Sequence, residues 1–155
     1  MVSTRHAPTV LVVEDEPDIA RLIATALESD GIHVISVARG DRALETIRVI
    51  AFQTVVLDLV LPGRSGLDIL VEMKAHPQLR QVPVVVVSAV ASHFAPLLRQ
   101  GVAKVLTKPF EADDLVAAVR DALAKGAADK LAANDRRLDD SPAMLSWRQP
   151  LLDGN

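Results

Sequence analysis

The sequence predicts an α/β protein: a five-stranded parallel sheet covered by helices on both faces. Two observations carry this. Short runs such as Val10-Leu11-Val12-Val13, Val55-Val56-Leu57 and Val84-Val85-Val86-Val87 are apolar at every position, as in strands buried on both faces. The stretches between such runs repeat apolar residues at helical spacing, and strands alternating with helices imply parallel crossovers. The 155 residues are half hydrophobic, enough for one sizeable core. Aromatics make up only 3%, so Val, Leu, Ile and Ala must fill it.

The elements follow in order. Residues 1–8 are polar and read as a flexible lead-in. Thr9 to Val13 is the first strand, ending in Glu14-Asp15-Glu16. Pro17 suits the first helical position, and the acids suit the positive end of a helix dipole. Ile19, Leu22, Ile23, Ala26 and Leu27 mark the inner face of that helix, and Gly31 stops it. Ile32 to Val37 is a more polar second strand, suited to a sheet edge. Asp41 to Ile50 forms the second helix, with Ala43, Leu44 and Ile47 inward.

The third strand, Val55 to Leu57, runs into Asp58, and Pro62-Gly63 marks the loop that leaves it. Gly66 to Ala75 is the third helix, with Leu67, Leu70, Val71 and Met73 on its apolar face. Val82 to Val87 is the fourth strand, ending at Ser88-Ala89. Ser92 to Gln100 is a short fourth helix, with Pro96 tolerable only in its first turn. Val102 to Leu106 is the fifth strand, before Thr107-Lys108-Pro109-Phe110. Asp113 to Ala124 is the fifth helix, with Leu115, Val119, Ala122 and Leu123 on one stripe. The pattern breaks at Gly126. Residues 9–125 therefore read as one domain and 126–155 as a tail, disordered or docking. Met144, Leu145, Trp147, Leu151 and Leu152 form an apolar cluster within that tail.

Several function classes are excluded or disfavoured. The chain has no Cys, so disulfides and thiolate metal sites are impossible. The absence of Cys suits a reducing cytoplasm, and neither a secretory signal nor an 18-residue apolar run for a membrane span is seen. A net charge of −3 gives no reason to expect nucleic-acid binding. His6, His33, His76 and His93 show no metal-ligand spacing and read as surface or loop residues.

The informative residues sit at strand ends. On its own stretch, Asp58 is equally well a turn cap or a site residue. A parallel sheet, however, brings all its carboxyl ends to one edge. Glu14 and Asp15, Asp58, Ser88 and Lys108 then surround one crevice. Two like charges about 5 Å apart repel by roughly 3 kcal/mol at an effective dielectric near 20. A divalent cation is the natural partner, and oxygen ligands without thiolates point to Mg²⁺ or a similar hard cation. Lys108 and Ser88 remain to hold an anionic group beside it. A metal and a lysine around a carboxylate nucleophile suit phosphoryl transfer.

Four motifs occur in this order: Val12-Val13-Glu14-Asp15-Glu16-Pro17, Val56-Leu57-Asp58-Leu59-Val60-Leu61-Pro62-Gly63, Val87-Ser88-Ala89 and Thr107-Lys108-Pro109-Phe110. Through them, over roughly Thr9 to Lys125, the chain resembles the receiver domain of two-component response regulators, of the single-domain, chemotaxis-receiver-like type. The resemblance implies a flavodoxin-like doubly wound sheet in the order 2-1-3-4-5. It implies that Asp58 accepts a phosphoryl group from a sensor histidine kinase or phosphotransfer protein, so the chain is a self-phosphorylating acceptor with autophosphatase activity rather than a conventional enzyme. Asp15, Asp58 and the Val60 backbone carbonyl would hold Mg²⁺, with Glu14 acting directly or through water. Lys108 would pair with phosphoryl oxygens, Ser88 would hydrogen-bond one of them, and the Lys108–Pro109 bond would be cis. A downstream protein target would read the modified state.

Three features depart from the family pattern. Val105 stands where receivers commonly carry an aromatic switch residue. The segment from Ser88 to Gly101 is a couple of residues short, so the fourth helix is expected to be displaced or truncated. No output domain follows, which reads as a stand-alone regulator. The rivals are weaker. A phosphorylation-independent interaction module would not need Asp15, Asp58 and Lys108. A dehalogenase-like phosphatase needs an Asp where Val60 stands. A flavin-binding protein wants hydroxyls where Glu14-Asp15-Glu16 stands.

Overall fold

Successive residues of each central strand alternate between two helical layers, which is why these strands are apolar throughout. The computed structural model describes residues 6–98 and 101–139. Strands β1 (Thr9–Val13), β2 (His33–Val37), β3 (Thr54–Leu57), β4 (Val84–Ser88) and β5 (Lys104–Thr107) form one parallel sheet. Its order is β2-β1-β3-β4-β5. On one face Leu11, Val13, Val55, Leu57, Val84 and Val86 pack against α2 (Gly40–Val49) and α3 (Gly66–Ala75). On the other, Val10, Val12, Val56, Val85 and Val87 meet α1 (Pro17–Glu28) and α5 (Ala112–Asp139). The edge position expected for β2 is observed, and its residues are only partly covered. No helix among the described residues is long and apolar enough to cross a membrane.

The structure corrects several details. Ile23 and Leu27 are buried in α1, whereas Leu22, one residue off that stripe, is 49% exposed. In α3 the inner face is Gly66, Ile69, Leu70 and Met73, spaced i, i+3, i+4, i+7. Val71 is turned about 100° away from Leu70 and is 66% exposed. The expected fourth helix is a 3₁₀ turn at Ala91–Phe94 followed by one turn of α-helix, α4 (Ala95–Leu98). Pro96 has no N–H to bond the Ser92 carbonyl, which disfavours an α-helix begun at Ser92, and it sits instead in the first turn of α4, where that bond is not needed. In the other direction, α5 passes Gly126 and continues to Asp139. A mid-helix Gly disfavours helix by only about 1 kcal/mol, and the alanines on both sides are the best helix formers. The apolar cluster at residues 144–152 lies outside the described residues.

Two glycines shape the loops. Gly31 adopts φ +78 and turns the chain from α1 into β2. Gly66 opens α3 so close to β3 that a Cβ there would stand 2.0 Å from the Asp58 carbonyl oxygen. The backbone carrying Asp58 thus rests on a residue without a side chain. Gly66→Ala is expected to lower stability by about 1–3 kcal/mol, the usual range for overpacking. Urea unfolding checks this, and amide shifts at residues 58–60 should move in the variant.

Candidate functional site

Register fixes which residues meet. Val13 pairs with Leu57, Leu57 with Val86, and Ser88 with Thr107. The residues that follow, Glu14, Asp58 and Lys108, therefore emerge side by side with Ser88 at the carboxyl edge. Three parallel strands deliver a carboxylate, a second carboxylate and an ammonium from positions 44 and 50 residues apart, which no local sequence could do.

The site is dense in charge. Glu14 is 3% exposed and Asp58 5%, while Asp15 faces solvent. Lys108 Nζ lies 2.7 Å from Glu14 Oε2 and donates to Asp58 Oδ2 at 2.8 Å. The other Asp58 oxygen, Oδ1, accepts the Val60 backbone N–H at 3.2 Å, and Glu14 Oε1 accepts that of Glu16 at 3.2 Å. Burial pushes the Glu14 carboxyl above its ordinary value, helped by the Asp58 charge and opposed by its bonds to Lys108 and Glu16. For Lys108, burial is the largest single influence and acts downward. Hydrogen bonds to Asp58 and Glu14, with the charges of both, outweigh it and hold the ammonium above the ordinary lysine value.

Ser88 is fully buried, and its Oγ accepts the Val90 N–H at a long 3.4 Å. Its backbone carbonyl accepts the Lys108 N–H at 3.2 Å, tying the fourth strand's end to the lysine. Val60 presents its side chain to solvent at 60% exposure, beside Asp58. Val105 is half-buried on β5 and packs into the layer shared with α2 and α3. The Lys108–Pro109 bond is cis, as the resemblance implies.

Carboxylate oxygens of Glu14, Asp15 and Asp58 all lie within 4.8 Å of one another. This is the one cluster of that kind among the described residues, and no histidine belongs to it. Three carboxylates against one ammonium leave two uncompensated negative charges. An all-oxygen donor set with that charge fits a hard divalent cation such as Mg²⁺. One participant was missed by sequence reasoning. Glu16 Oε1 stands 3.8 Å from Lys108 Nζ, so this acid serves the site as well as the start of α1. The third acid in the Glu14-Asp15-Glu16 run was the available signal.

The comparisons agree with this geometry. The family model for the response regulator receiver domain matches residues 10–120. The sensory transduction protein RegX3 of Mycobacterium tuberculosis is 32% identical over 149 residues, covering 95% of this chain and 64% of its own length. The chain thus spans less than two thirds of that relative. The receiver domain of the Francisella response regulator 1452 superposes with a TM-score of 0.70 at 30% identity, covering 76% of this chain and 98% of its own. The response regulator TrrA of Thermotoga maritima, solved in complex with Mg²⁺-BeF, superposes with a TM-score of 0.67 at 26% identity, covering 75% and 99%. With its sheet order, its acidic edge and its matched residues 10–120, the chain belongs to the response regulator receiver domain family.

Proposed function

We propose that the chain is a receiver that takes a phosphoryl group on Asp58 from a phosphohistidine of a sensor kinase or phosphotransfer protein, in the cytoplasm. The observation that carries this is the buried Asp58 carboxylate, held by Lys108 beside two further carboxylates. In the transfer, a carboxylate oxygen forms the new P–O bond as the P–N bond to imidazole breaks, and the imidazole leaves with a proton. Lys108 is placed to meet phosphoryl oxygens, since its Nζ already lies at Asp58 Oδ2. Glu14, Asp15, Asp58 and the Val60 carbonyl would hold Mg²⁺, which when bound would neutralise charge on the transferring group. TrrA, with Mg²⁺-BeF in its structure, supports this reading for a relative.

The phosphoryl group adds about −1.5 to −2 charge. The Ser88 hydroxyl, which accepts a long bond from the Val90 N–H, can turn toward it. That turn pulls on the segment entering the 3₁₀ turn and α4. Val105 has no ring to fill the vacated space, so the signal leaves through backbone movement of residues 89–101 toward a downstream protein. Amide exchange with and without beryllofluoride, a phosphoryl mimic, tests this. Changes confined to residues 14–16, 58–63 and 107–109 would refute it.

The metal is tested separately. Titrating Mg²⁺ should shift the amide signals of residues 14–16 and 58–60, and silence there would refute the site. Phosphotransfer from candidate kinases tests the reaction itself. If no kinase and no small phosphodonor labels the protein, the reading as a phosphorylation-independent binding module takes its place.

A further inference from the structure

We propose that the apolar groove at the amino-terminal edge of the sheet is the docking site of the chain's own C-terminal segment, residues 144–152. The groove lies where β3 and β4 begin, at the pole opposite the acidic pocket. Its volume is about 790 Å³, and Ile50, Phe52, Leu79, Val82 and Leu123 supply much of its lining. Val49 and Ile50, both at this groove, are 81% and 39% exposed. Arg48 and Lys130 also line it, and no Asp or Glu among the described residues does.

The occupant follows from where α5 goes. Leu123, Gly126, Ala127 and Lys130 of that helix form one wall. Beyond Lys130 the helix runs to Asp139, about 13 Å at 1.5 Å per residue. Pro142 opposes helix at its own position and at Ser141. Extended chain covers about 3.3 Å per residue, so residues 140–144 suffice to retrace that distance. Met144, Leu145, Trp147, Leu151 and Leu152 then arrive at the groove; Asp153 follows them toward Arg48 and Lys130, while Arg148 carries the segment's own positive charge. Trp147 alone offers about 150–250 Å² of surface to bury. A segment tethered this closely acts at millimolar effective concentration, well above a second copy at micromolar protein.

Trp147 is the chain's only tryptophan, so its fluorescence reads the segment directly. The test compares the full chain with Val49→Glu/Ala127→Glu, two exposed positions in the groove, and with Leu151→Ser/Leu152→Ser in the segment. Circular dichroism melts confirm that each variant stays folded. The wild-type chain is expected to show a blue-shifted emission and several-fold weaker acrylamide quenching than either variant, independent of dilution. Equal quenching in all three proteins overturns the proposal. Shielding that survives the groove substitutions also overturns it, because the segment then packs elsewhere. Shielding that fades on dilution overturns it as well, and assigns the groove to a second copy.

Discussion

Asp58→Asn is expected to reduce labelling by acetyl phosphate and Mg²⁺ from one phosphoryl group per chain to background. The amide keeps the shape of the carboxylate and can still accept the Val60 N–H. It has no anionic oxygen to attack phosphorus, so the loss is chemical and not structural. The same variant should fold at least as well as the parent when Mg²⁺ is absent. Asp58 adds a third negative charge to a cluster within 4.8 Å that holds only one ammonium, and the amide removes it. Intact mass after acetyl phosphate treatment and urea unfolding in chelator measure the two outcomes. Retained labelling would move the acceptor to another residue. A large loss of stability would show that Lys108 needs both carboxylates.

The second large effect is expected from Lys108→Met. The lysine side chain is 11% exposed and lies between Glu14 at 2% and Asp58 at 6%. Removing one member of a buried pair leaves an uncompensated charge and typically lowers stability by about 3–5 kcal/mol. At about 2 kcal/mol per molar urea, the unfolding midpoint should fall by roughly 2 M in chelator. Added Mg²⁺ should restore part of it, because the cation supplies the missing positive charge. The pH dependence has a definite sign. The folded-state value of Lys108 is raised above 10.5, so its contribution is complete below that pH and is lost as pH rises through the folded value. The gap between variant and parent should therefore persist through neutral pH and close only in strong alkali. A loss below about 1 kcal/mol, the scale of exposed ion pairs, would mean that water already screens these charges.

Much of this was legible in the sequence because of one circumstance. Every site residue ends or follows a strand, and buried strands announce themselves by unbroken apolar runs. Val55 to Asp58 could be read at sight, and parallel topology then brought Glu14, Ser88 and Lys108 to the same edge. What stayed hidden depended on competition between neighbours. Gly126 looks like a helix stop, but the flanking alanines outweigh it and α5 continues. Pro96 does sit in a first turn, but that of α4 at Ala95–Leu98, and the sequence did not show that the residues before it form a 3₁₀ turn. Leu22 and Val71 are as apolar as their buried neighbours, and only the rotation of each helix tells them apart. The bidentate pair of Arg120 with Asp30 joins residues 90 positions apart, and no periodicity reports it.

The register that gathers Glu14, Asp58 and Lys108 also sets when the charged pocket can first exist. Lys108 lies 50 residues beyond Asp58 and reaches it only when β5 has joined β4. Ribosomes add roughly 5–20 residues per second, so several seconds of synthesis separate the first acid from its lysine. During that interval the emerging chain carries the acidic residues but has no assembled pocket. The pocket is thus completed in one step with the sheet, and a product ending before Lys108 would carry the acids without their ammonium.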